Sequence, residues 1–269
     1  MKLGIGDVFP HETAEEWGRK FVEIGATAAS FPLRYSDSVS KIDEYVQVAK
    51  DCSIQIAEVG IWQSPFQKNQ LASVFELACR QLELADYVHA RCCVNISGAF
   101  GEVWDGCYAA NYAEESYDQI VSFIQKLLAK IPLKNTYFVI ESMPWMIPDS
   151  PEQYKKLVKD VNHPRFGVHL DICNWMNQPY WYVHNRELIK KSFDLLAPFT
   201  KSIHLKDIML EPGSVVRFRE TMPGTGQFDI AYLLENIRQL PVDTPVLLEH
   251  LSSFEEYTTA LKRVIEIGK

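Results

Sequence analysis

Short apolar runs alternate with longer amphipathic segments along the whole chain, and this alternation constrains the fold more than any other sequence feature. Eight of the runs have strand character and are bounded by Gly, Pro, Asn or Asp. Their centres lie near Leu3, Ala28, Ala57, Val94, Val139, Val168, Ile203 and Leu248. Between them, apolar residues repeat with a period near 3.6, which predicts helices. These segments span 12–25, 39–52, 71–88, 117–131, 151–161, 186–199, 230–240 and 254–267. Ser150 and Ser253 precede two of them, with acidic residues following, and are predicted N-caps.

Eight strands and eight helices in strict alternation predict an α/β fold, a (β/α)8 TIM barrel. The 269 residues suit one such barrel, and no Pro/Gly/Ser-rich linker divides them, so we expect a single domain over 1–269. A doubly wound open sheet would need a glycine-rich phosphate loop after the first strand. The segment GIGDVFP lacks that spacing and places Pro10 where the helix should continue, so the barrel is favoured.

Charge and cysteine content narrow the range of partners and compartments. The net charge of −8 argues against a nucleic-acid partner, because phosphate contact needs a basic surface. The six cysteines form no CxxC pair and indicate reduced thiols in a cytoplasmic protein, with adjacent Cys92 and Cys93 as small buried hydrophobes. No apolar run approaches membrane-spanning length, so we expect no membrane association.

Four side chains that can bind metal stand at the ends of four successive strand runs. Glu141 closes TYFVIES, Asp171 closes FGVHLD, His204 lies in KSIHLKD and Glu249 lies in PVLLEH. Equivalent ends of parallel strands meet at one mouth of a barrel, so these groups would converge. Three carboxylates and one imidazole there predict a divalent-metal site, and such a site is usually catalytic.

The second half of the chain resembles the xylose isomerase-like TIM barrel superfamily. The resemblance rests on ES at 141–142, HLDICN at 169–174, HLKD at 204–207, PGTGQFD at 223–229 and LLEH at 247–250. The superfamily includes ketose 3-epimerases, hydroxypyruvate isomerase, inosose dehydratase and endonuclease IV. The resemblance implies that Glu141, Asp171, His204 and Glu249 bind one divalent metal ion, and that Glu141 and Glu249 also exchange protons with the substrate.

This ligand set indicates the metal and the reaction class. Oxygen-rich ligation favours Mn²⁺, with Mg²⁺, Co²⁺ or Zn²⁺ as alternatives. The resemblance implies an isomerase or epimerase of carbohydrate metabolism, acting on a small ketose, polyol-ketone or keto-acid. It would remove a proton next to a metal-chelated carbonyl and form an enediolate. A lyase of the inosose dehydratase kind starts with the same step and stays open. A non-catalytic sugar-binding barrel is the alternative from another class.

Further residues are candidates for binding the substrate, a small sugar or polyol. His169 shares a strand face with Asp171, and Lys206 shares one with His204. Asn174 offers an amide to a substrate hydroxyl, and Arg219 is a basic residue in the long loop before the PGTG turn. Trp145 belongs to a set of tryptophans that follow strands and would form an aromatic wall. The set comprises Trp62, Trp104, Trp145, Trp175 and Trp181.

The endonuclease IV branch is disfavoured. Members of that branch use extra histidines, and this chain has Glu58, Asn95, Asn174 and Glu220 in the corresponding segments. Many ketose epimerases also have histidine where Asn174 stands, so a close match to that branch is in doubt as well. Glu58 on the third strand and Asn95 on the fourth are candidates for facing the pocket, but neither is assigned a role. Pairing through the mouth loops, as in many such barrels, would produce a homo-oligomer.

Overall fold

The computed structural model describes residues 1–6 and 9–269. Its strands in chain order are β1 (Lys2–Ile5), β2 (Ala28–Ser30), β3 (Gln55–Gly60), β4 (Cys92–Ile96), β5 (Tyr137–Glu141), β6 (Phe166–Leu170), β7 (Thr200–Leu205), β8 (Asp207–Leu210), β9 (Phe218–Thr221) and β10 (Pro245–Leu248). Eight of them close into a parallel barrel in the order β1-β10-β7-β6-β5-β4-β3-β2. The predicted (β/α)8 TIM barrel is confirmed. Asp7 and Val8 of the GIGDVFP segment lie outside the described residues.

Helices follow the barrel strands and cover the outside of the sheet. They are α1 (Ala14–Glu23), α2 (Val39–Asp51), α3 (Leu71–Tyr87), α4 (Glu114–Lys130), α5 (Pro151–Val161), α6 (Pro179–Val183), α7 (Asn185–Leu196), α8 (Ile230–Ile237) and α9 (Phe254–Ile267). Ser150 and Ser253 accept hydrogen bonds from the backbone N–H groups of Gln153 and Glu256, so both predicted N-caps are confirmed. Within the described ranges, no helix combines the length and the apolar character needed to cross a bilayer.

The core has two parts, inside and outside the barrel wall. The larger part lies between strands and helices and includes the fully buried Trp17 and Phe138. Separate clusters of buried residues on barrel strands, such as Ala28 with Ala57 and Leu247, belong to the barrel interior. Cys92 packs in one of these interior clusters while Cys93 joins the outer core, as side-chain alternation along a strand requires. Both cysteines are fully buried, as predicted.

The segment after β7 differs from the predicted long loop. It forms a two-stranded antiparallel hairpin, β8–β9, in which Asp207 pairs with Thr221 and Leu210 with Phe218. Buried Asp207 shapes the turn that follows, because its carboxylate accepts backbone N–H groups from Gly224, Gly226 and Phe228 at 2.8–3.0 Å. A side chain at Gly226 would collide with that carboxylate, since its Cβ would lie 2.3 Å from Oδ1. The PGTGQFD motif thus wraps around one buried acid.

Candidate metal centre and active site

The four predicted metal ligands converge at the carboxyl ends of four barrel strands. Glu141 ends β5, Asp171 follows β6, His204 lies near the end of β7 and Glu249 follows β10. All four are buried, and one ligand atom from each lies within 4.8 Å of the others. The register of the parallel strands brings together residues that are up to 108 positions apart in sequence (249 − 141). Their role as metal ligands remains a prediction.

The imidazole of His204 lies between two of these carboxylates. Its Nδ1 is 2.9 Å from Glu249 Oε2 and 3.3 Å from Glu141 Oε1. Burial alone would lower the pKa of His204, but Glu249, Glu58 and Glu141 outweigh it and raise that pKa well above its ordinary value. The same imidazole and Lys206 hold the pKa of Glu249 well below its usual range, although burial opposes them. The cluster therefore stabilises positive charge at its centre.

Lys206 supplies positive charge within the cluster. Its ammonium is almost fully buried and lies 2.9 Å from both Asp171 Oδ2 and Glu249 Oε1, and 3.3 Å from Glu220 Oε1. Burial opposes the charged form, but Asp171 and Glu249 raise the pKa of Lys206 well above its ordinary value. The predicted shared face with His204 is present, and the ammonium contacts the candidate metal ligands directly.

The donor set fits a hard divalent cation. Asp171 Oδ2 and Glu249 Oε1 are fully buried, and neither receives an aligned hydrogen bond although the Lys206 ammonium is near. Buried carboxylate oxygens without a donor are costly unless a cation satisfies them. Three carboxylates and one imidazole at a single point suit Mn²⁺, Mg²⁺ or Co²⁺.

Glu58 is a site residue to which the sequence reasoning gave no role. Its Oε1 accepts a hydrogen bond from His204 Nε2 at 3.4 Å and another from the Ser30 hydroxyl. Glu58 Oε2 lies 3.3 Å from the same imidazole nitrogen but out of line for a hydrogen bond. A carboxylate on Nε2 orients the ring so that Nδ1 faces the other carboxylates. The sequence signal was a lone acid within the apolar run QIAEVGI.

His169 lies at the inner end of the cluster. It is fully buried, its ring centre is 4.0 Å from that of His204, and its Nδ1 is 2.6 Å from the Ser202 hydroxyl oxygen. Burial lowers the pKa of His169 well below its ordinary value, so the ring is neutral. His169 is absent from the described lining of the cavity, and its contact with substrate stays a prediction. It contacts the metal-site histidine.

A cavity of about 920 Å³ lies over the cluster. Asn174 and Trp145 line it, as expected of substrate-binding residues, and so do Trp62 and Trp104. Asn174 Nδ2 donates to the Ser142 carbonyl at 2.8 Å and lies 3.4 Å from Glu141 Oε1. Two other tryptophans of the expected wall, Trp175 and Trp181, lie outside this cavity. Trp175 is buried and donates to the Pro148 carbonyl.

The position of Arg219 differs from the loop position that the sequence predicted, and its role in substrate binding stays a prediction. Arg219 lies on β9 rather than in a loop, its side chain is 57% exposed, and its Nε is 3.4 Å from Glu211 Oε1. Phe218 and Glu220 on either side of it line the cavity, whereas Arg219 does not. Successive side chains of a strand point to opposite faces, so the face that brings Glu220 to the site turns Arg219 away.

Glu220 and His250 form a second pair at the cavity that the sequence reasoning missed. His250 Nδ1 donates to Glu220 Oε2 at 2.7 Å, and His250 Nε2 is 3.5 Å from Glu249 Oε2. The hydrogen bond that His250 donates to Glu220 raises the pKa of His250. The backbone of His250 is left-handed, with φ of 58°, which is uncommon for a residue with a side chain. His250 ends the LLEH motif, and Glu220 is one of the residues compared with the histidines of endonuclease IV. Neither was assigned a role, whereas Glu249 of the same motif was.

A closed parallel barrel whose strand ends bring three buried acids and a histidine together defines a TIM-barrel protein with a side-chain cluster that could hold a metal ion. The chain belongs to the xylose isomerase-like TIM barrel family, whose sequence profile matches residues 12–266.

Solved structures share this fold at low sequence identity. A magnesium complex of a xylose isomerase-like TIM barrel protein from Mycobacterium smegmatis has a TM-score of 0.75 and 15% identity, covering 99% of this chain and 96% of that one. The probable 3-DHS dehydratase AsbF from Bacillus anthracis has a TM-score of 0.77 and 15% identity, covering 98% of this chain and 99% of that one. D-Psicose 3-epimerase from Clostridium cellulolyticum H10 has a TM-score of 0.72 and 13% identity, covering 99% of each chain.

Among curated proteins, a probable endonuclease 4 from Mycoplasmopsis pulmonis is similar to this chain. It is 29% identical over 116 residues, which span 40% of this chain and 41% of that relative. The structural neighbours thus include an epimerase and a probable dehydratase, and the partial relative is a probable nuclease.

Proposed function

We propose that this protein is a divalent-metal-dependent isomerase or epimerase that acts on a small ketose, polyol-ketone or keto-acid. The observation that carries the proposal is the convergence of Glu141, Asp171, His204 and Glu249 beneath a cavity of sugar size. Epimerases among the structural neighbours support the same reaction class. Mn²⁺ is the metal we propose, because three of the four donors are carboxylates.

In this proposal, Glu141 and Glu249 move the proton. They lie on strands separated by β6 and β7 in the barrel, so they approach the cavity from different sides. One carboxylate removes the proton from the carbon next to the substrate carbonyl. The C–H electron pair becomes a carbon–carbon double bond, while the carbonyl π pair moves onto oxygen. Return of a proton to the opposite face of the same carbon inverts it. Return of the proton to the former carbonyl carbon isomerises the sugar, provided that the hydroxyl proton of the deprotonated carbon moves to the former carbonyl oxygen, so that a new carbonyl forms there.

Other residues of the chain prepare this transfer. Asn174 holds the Glu141 carboxylate through its side-chain amide, and Lys206 and His204 keep Glu249 ionised. The aromatic walls of Trp62 and Trp104 exclude water from the reacting carbon. A divalent cation bound by the four ligands would supply Lewis-acid polarisation of the carbonyl, which is worth several kcal/mol.

Solvent-deuterium exchange tests this proposal. The Mn²⁺-loaded protein is incubated in D₂O with a panel of neutral ketoses and short keto-acids, and deuterium at the carbons next to the carbonyl is measured by mass spectrometry and NMR. We expect uptake into at least one panel member and none with EDTA-treated protein. Binding of metal and of a sugar without any exchange would instead establish the non-catalytic sugar-binding barrel.

A metal-dependent lyase is the second candidate, and the pair of Glu220 and His250 favours it. This pair lines the cavity beside Glu249, where an imidazole N–H could give a proton to a departing hydroxyl group. Loss of water from the carbon beyond the one that is deprotonated yields an unsaturated ketone. Its ultraviolet absorbance, measured in the same incubations, distinguishes dehydration from isomerisation.

We also propose a small molecule rather than a nucleic acid as the partner, in spite of the partial similarity to an endonuclease 4. The net charge of −8 and the acidic residues around the cavity both disfavour phosphate backbones. Failure of the protein to bind abasic duplex DNA at low salt is the expected result.

A further inference from the structure

We infer that this site takes an uncharged carbonyl compound rich in hydroxyl groups, and that it selects against substrates carrying a phosphate or carboxylate group. The inference rests on the proposed function and names its substrate class.

Acidic side chains outnumber basic ones in the described lining of the cavity. The lining includes the carboxylates of Glu58, Asp105, Glu141, Glu220 and Glu249. Its basic residues are Lys206, His204 and His250, and arginine is absent from the described lining. With His204 neutral as a metal ligand, a bound divalent cation and the Lys206 ammonium carry three positive charges, fewer than the five carboxylates of the lining carry negative ones. An added anion would therefore meet net repulsion.

The basic groups of the lining are already paired with carboxylates. The Lys206 ammonium lies within 3.3 Å of oxygens from Asp171, Glu220 and Glu249. His250 donates to Glu220. A phosphate or carboxylate on a substrate would have to break one of these pairs, and the released carboxylate would stay in the cavity without a partner. Arg219 is turned to the outer face of the hairpin and pairs with Glu211.

The hydrogen-bonding groups of the cavity also favour a neutral substrate. The side-chain N–H groups of Asn174, Asn177 and Trp145 already donate to backbone carbonyls. In contrast, the carboxylates of Glu141, Glu220 and Glu249 in the lining can only accept hydrogen bonds. Sugar hydroxyls bring donors to such oxygens, whereas phosphate dianions and carboxylates bring only acceptors.

The lining also offers apolar surface for the carbon skeleton. Trp62, Trp104, Trp145 and Phe218 line the cavity. Aromatic faces pack against the C–H faces of a neutral sugar without a charge requirement. Carboxylate acceptors and aromatic side chains in one lining together fit a neutral polyhydroxy ketone.

Matched substrate pairs test the inference. The Mn²⁺-loaded protein is assayed with D-fructose against D-fructose 6-phosphate and D-tagatose against D-tagatose 6-phosphate, at a constant ionic strength of about 0.15 M. Equilibrium binding is measured by calorimetry and kcat/KM by deuterium uptake. For each pair we expect the neutral ketose to be favoured at least about 30-fold. A preference of this size corresponds to the repulsion between two like unit charges about 7 Å apart at an effective dielectric constant near 20. The preference should shrink as salt is added.

Two variants test whether the preference for neutral sugars arises from the charge of the cavity. Glu220→Gln removes one carboxylate from the lining and should reduce the preference for neutral sugars at least about fivefold. Glu211→Gln removes the same charge from the outer face of the hairpin and should leave the preference as it is. An equal preference ratio in wild type and Glu220→Gln would contradict the electrostatic origin of the selection.

The outcomes separate this inference from the proposed function. Equal or better binding and turnover of the phosphate esters would overturn the substrate class and leave the proposed chemistry standing. Tighter binding of the neutral ketoses without deuterium uptake from any probe would support the substrate class and overturn the proposed chemistry. Absence of binding by all four probes would overturn both.

Discussion

Substitution of Lys206 by methionine replaces a buried ammonium with an apolar side chain of similar length. The ammonium has two contacts of 2.9 Å and one of 3.3 Å with Asp171, Glu249 and Glu220. Removal of one partner from a buried ionic cluster costs about 3–5 kcal/mol, because the remaining charges stay buried. The pKa of Lys206 is raised by these carboxylates, so its contribution is complete at neutral pH and is lost only as pH rises through the raised pKa.

For a chain of this size the loss corresponds to a fall in melting temperature of about 6–20 °C for the metal-free protein. The same change should strengthen metal binding, because the carboxylates then lack their competing cation. We expect Lys206→Met to bind Mn²⁺ at least about tenfold more tightly than wild type, equivalent to about 1.4 kcal/mol. Saturating Mn²⁺ should therefore raise the melting temperature more in the variant than in the wild type.

Thermal unfolding of EDTA-treated protein, with and without added Mn²⁺, measures both effects, and calorimetry gives the affinity. Lys191→Met is the matched control, since Lys191 is partly exposed and pairs with Glu152 at the surface. Such a pair contributes less than about 1 kcal/mol. Equal loss of stability in the two variants, or an unchanged Mn²⁺ affinity in Lys206→Met, would refute the account of the buried ammonium.

Three further predictions follow from other contacts. Glu249→Gln should keep the fold and most of the metal but lower turnover at least about 10²-fold in steady-state assays, and near-normal kcat would exclude Glu249 as a proton carrier. Glu58→Gln should weaken Mn²⁺ binding about 10–100-fold in calorimetry through looser orientation of His204, so unchanged affinity would argue against that role. Partial burial acts to raise the pKa of Asp86, but backbone N–H groups of 134–136 bond its carboxylate and hold that pKa below its ordinary value. Asp86→Asn should therefore cost about 2 kcal/mol in urea unfolding at pH 7, a deficit that vanishes as pH falls through the lowered pKa; an equal deficit at pH 3 would contradict this.

The barrel and the convergence of its four candidate ligands could be predicted from the sequence. Period-2 and period-3.6 patterns are local properties, and their strict alternation leaves few topologies. Glu141, Asp171, His204 and Glu249 each close a strand run, so their common location follows once the strands are parallel and the barrel is closed. The predicted metal itself rests on the resemblance and on ligand chemistry.

The hairpin after β7 could not be predicted in the same way. Its strands have four residues each, and β9 has an exposed, charged sequence, FRET, without a period-2 apolar pattern. Its position depends on the buried Asp207 carboxylate, which contacts residues up to 21 positions later. Because the hairpin fixes which of Phe218, Arg219 and Glu220 faces the cavity, the outward position of Arg219 could not be predicted from the sequence.

Glu58 illustrates a second limit. A single acidic residue in a strand pattern is equally compatible with a solvated charge and with a functional-site residue. Which of the two it is depends on partners from distant strands. Ser30 and His204, its contacts here, are 28 and 146 residues away in sequence. Only the closed barrel brings β2, β3 and β7 side chains together at this point.

The most direct test of the central claim is a crystal structure of the protein soaked with Mn²⁺, with anomalous diffraction used to locate the ion. We expect one strong anomalous peak among the side chains of Glu141, Asp171, His204 and Glu249, with ligand distances of about 2.0–2.4 Å. The peak should be absent in crystals of His204→Ala soaked at the same Mn²⁺ concentration. A peak at another place, or none at saturating Mn²⁺, would contradict the account.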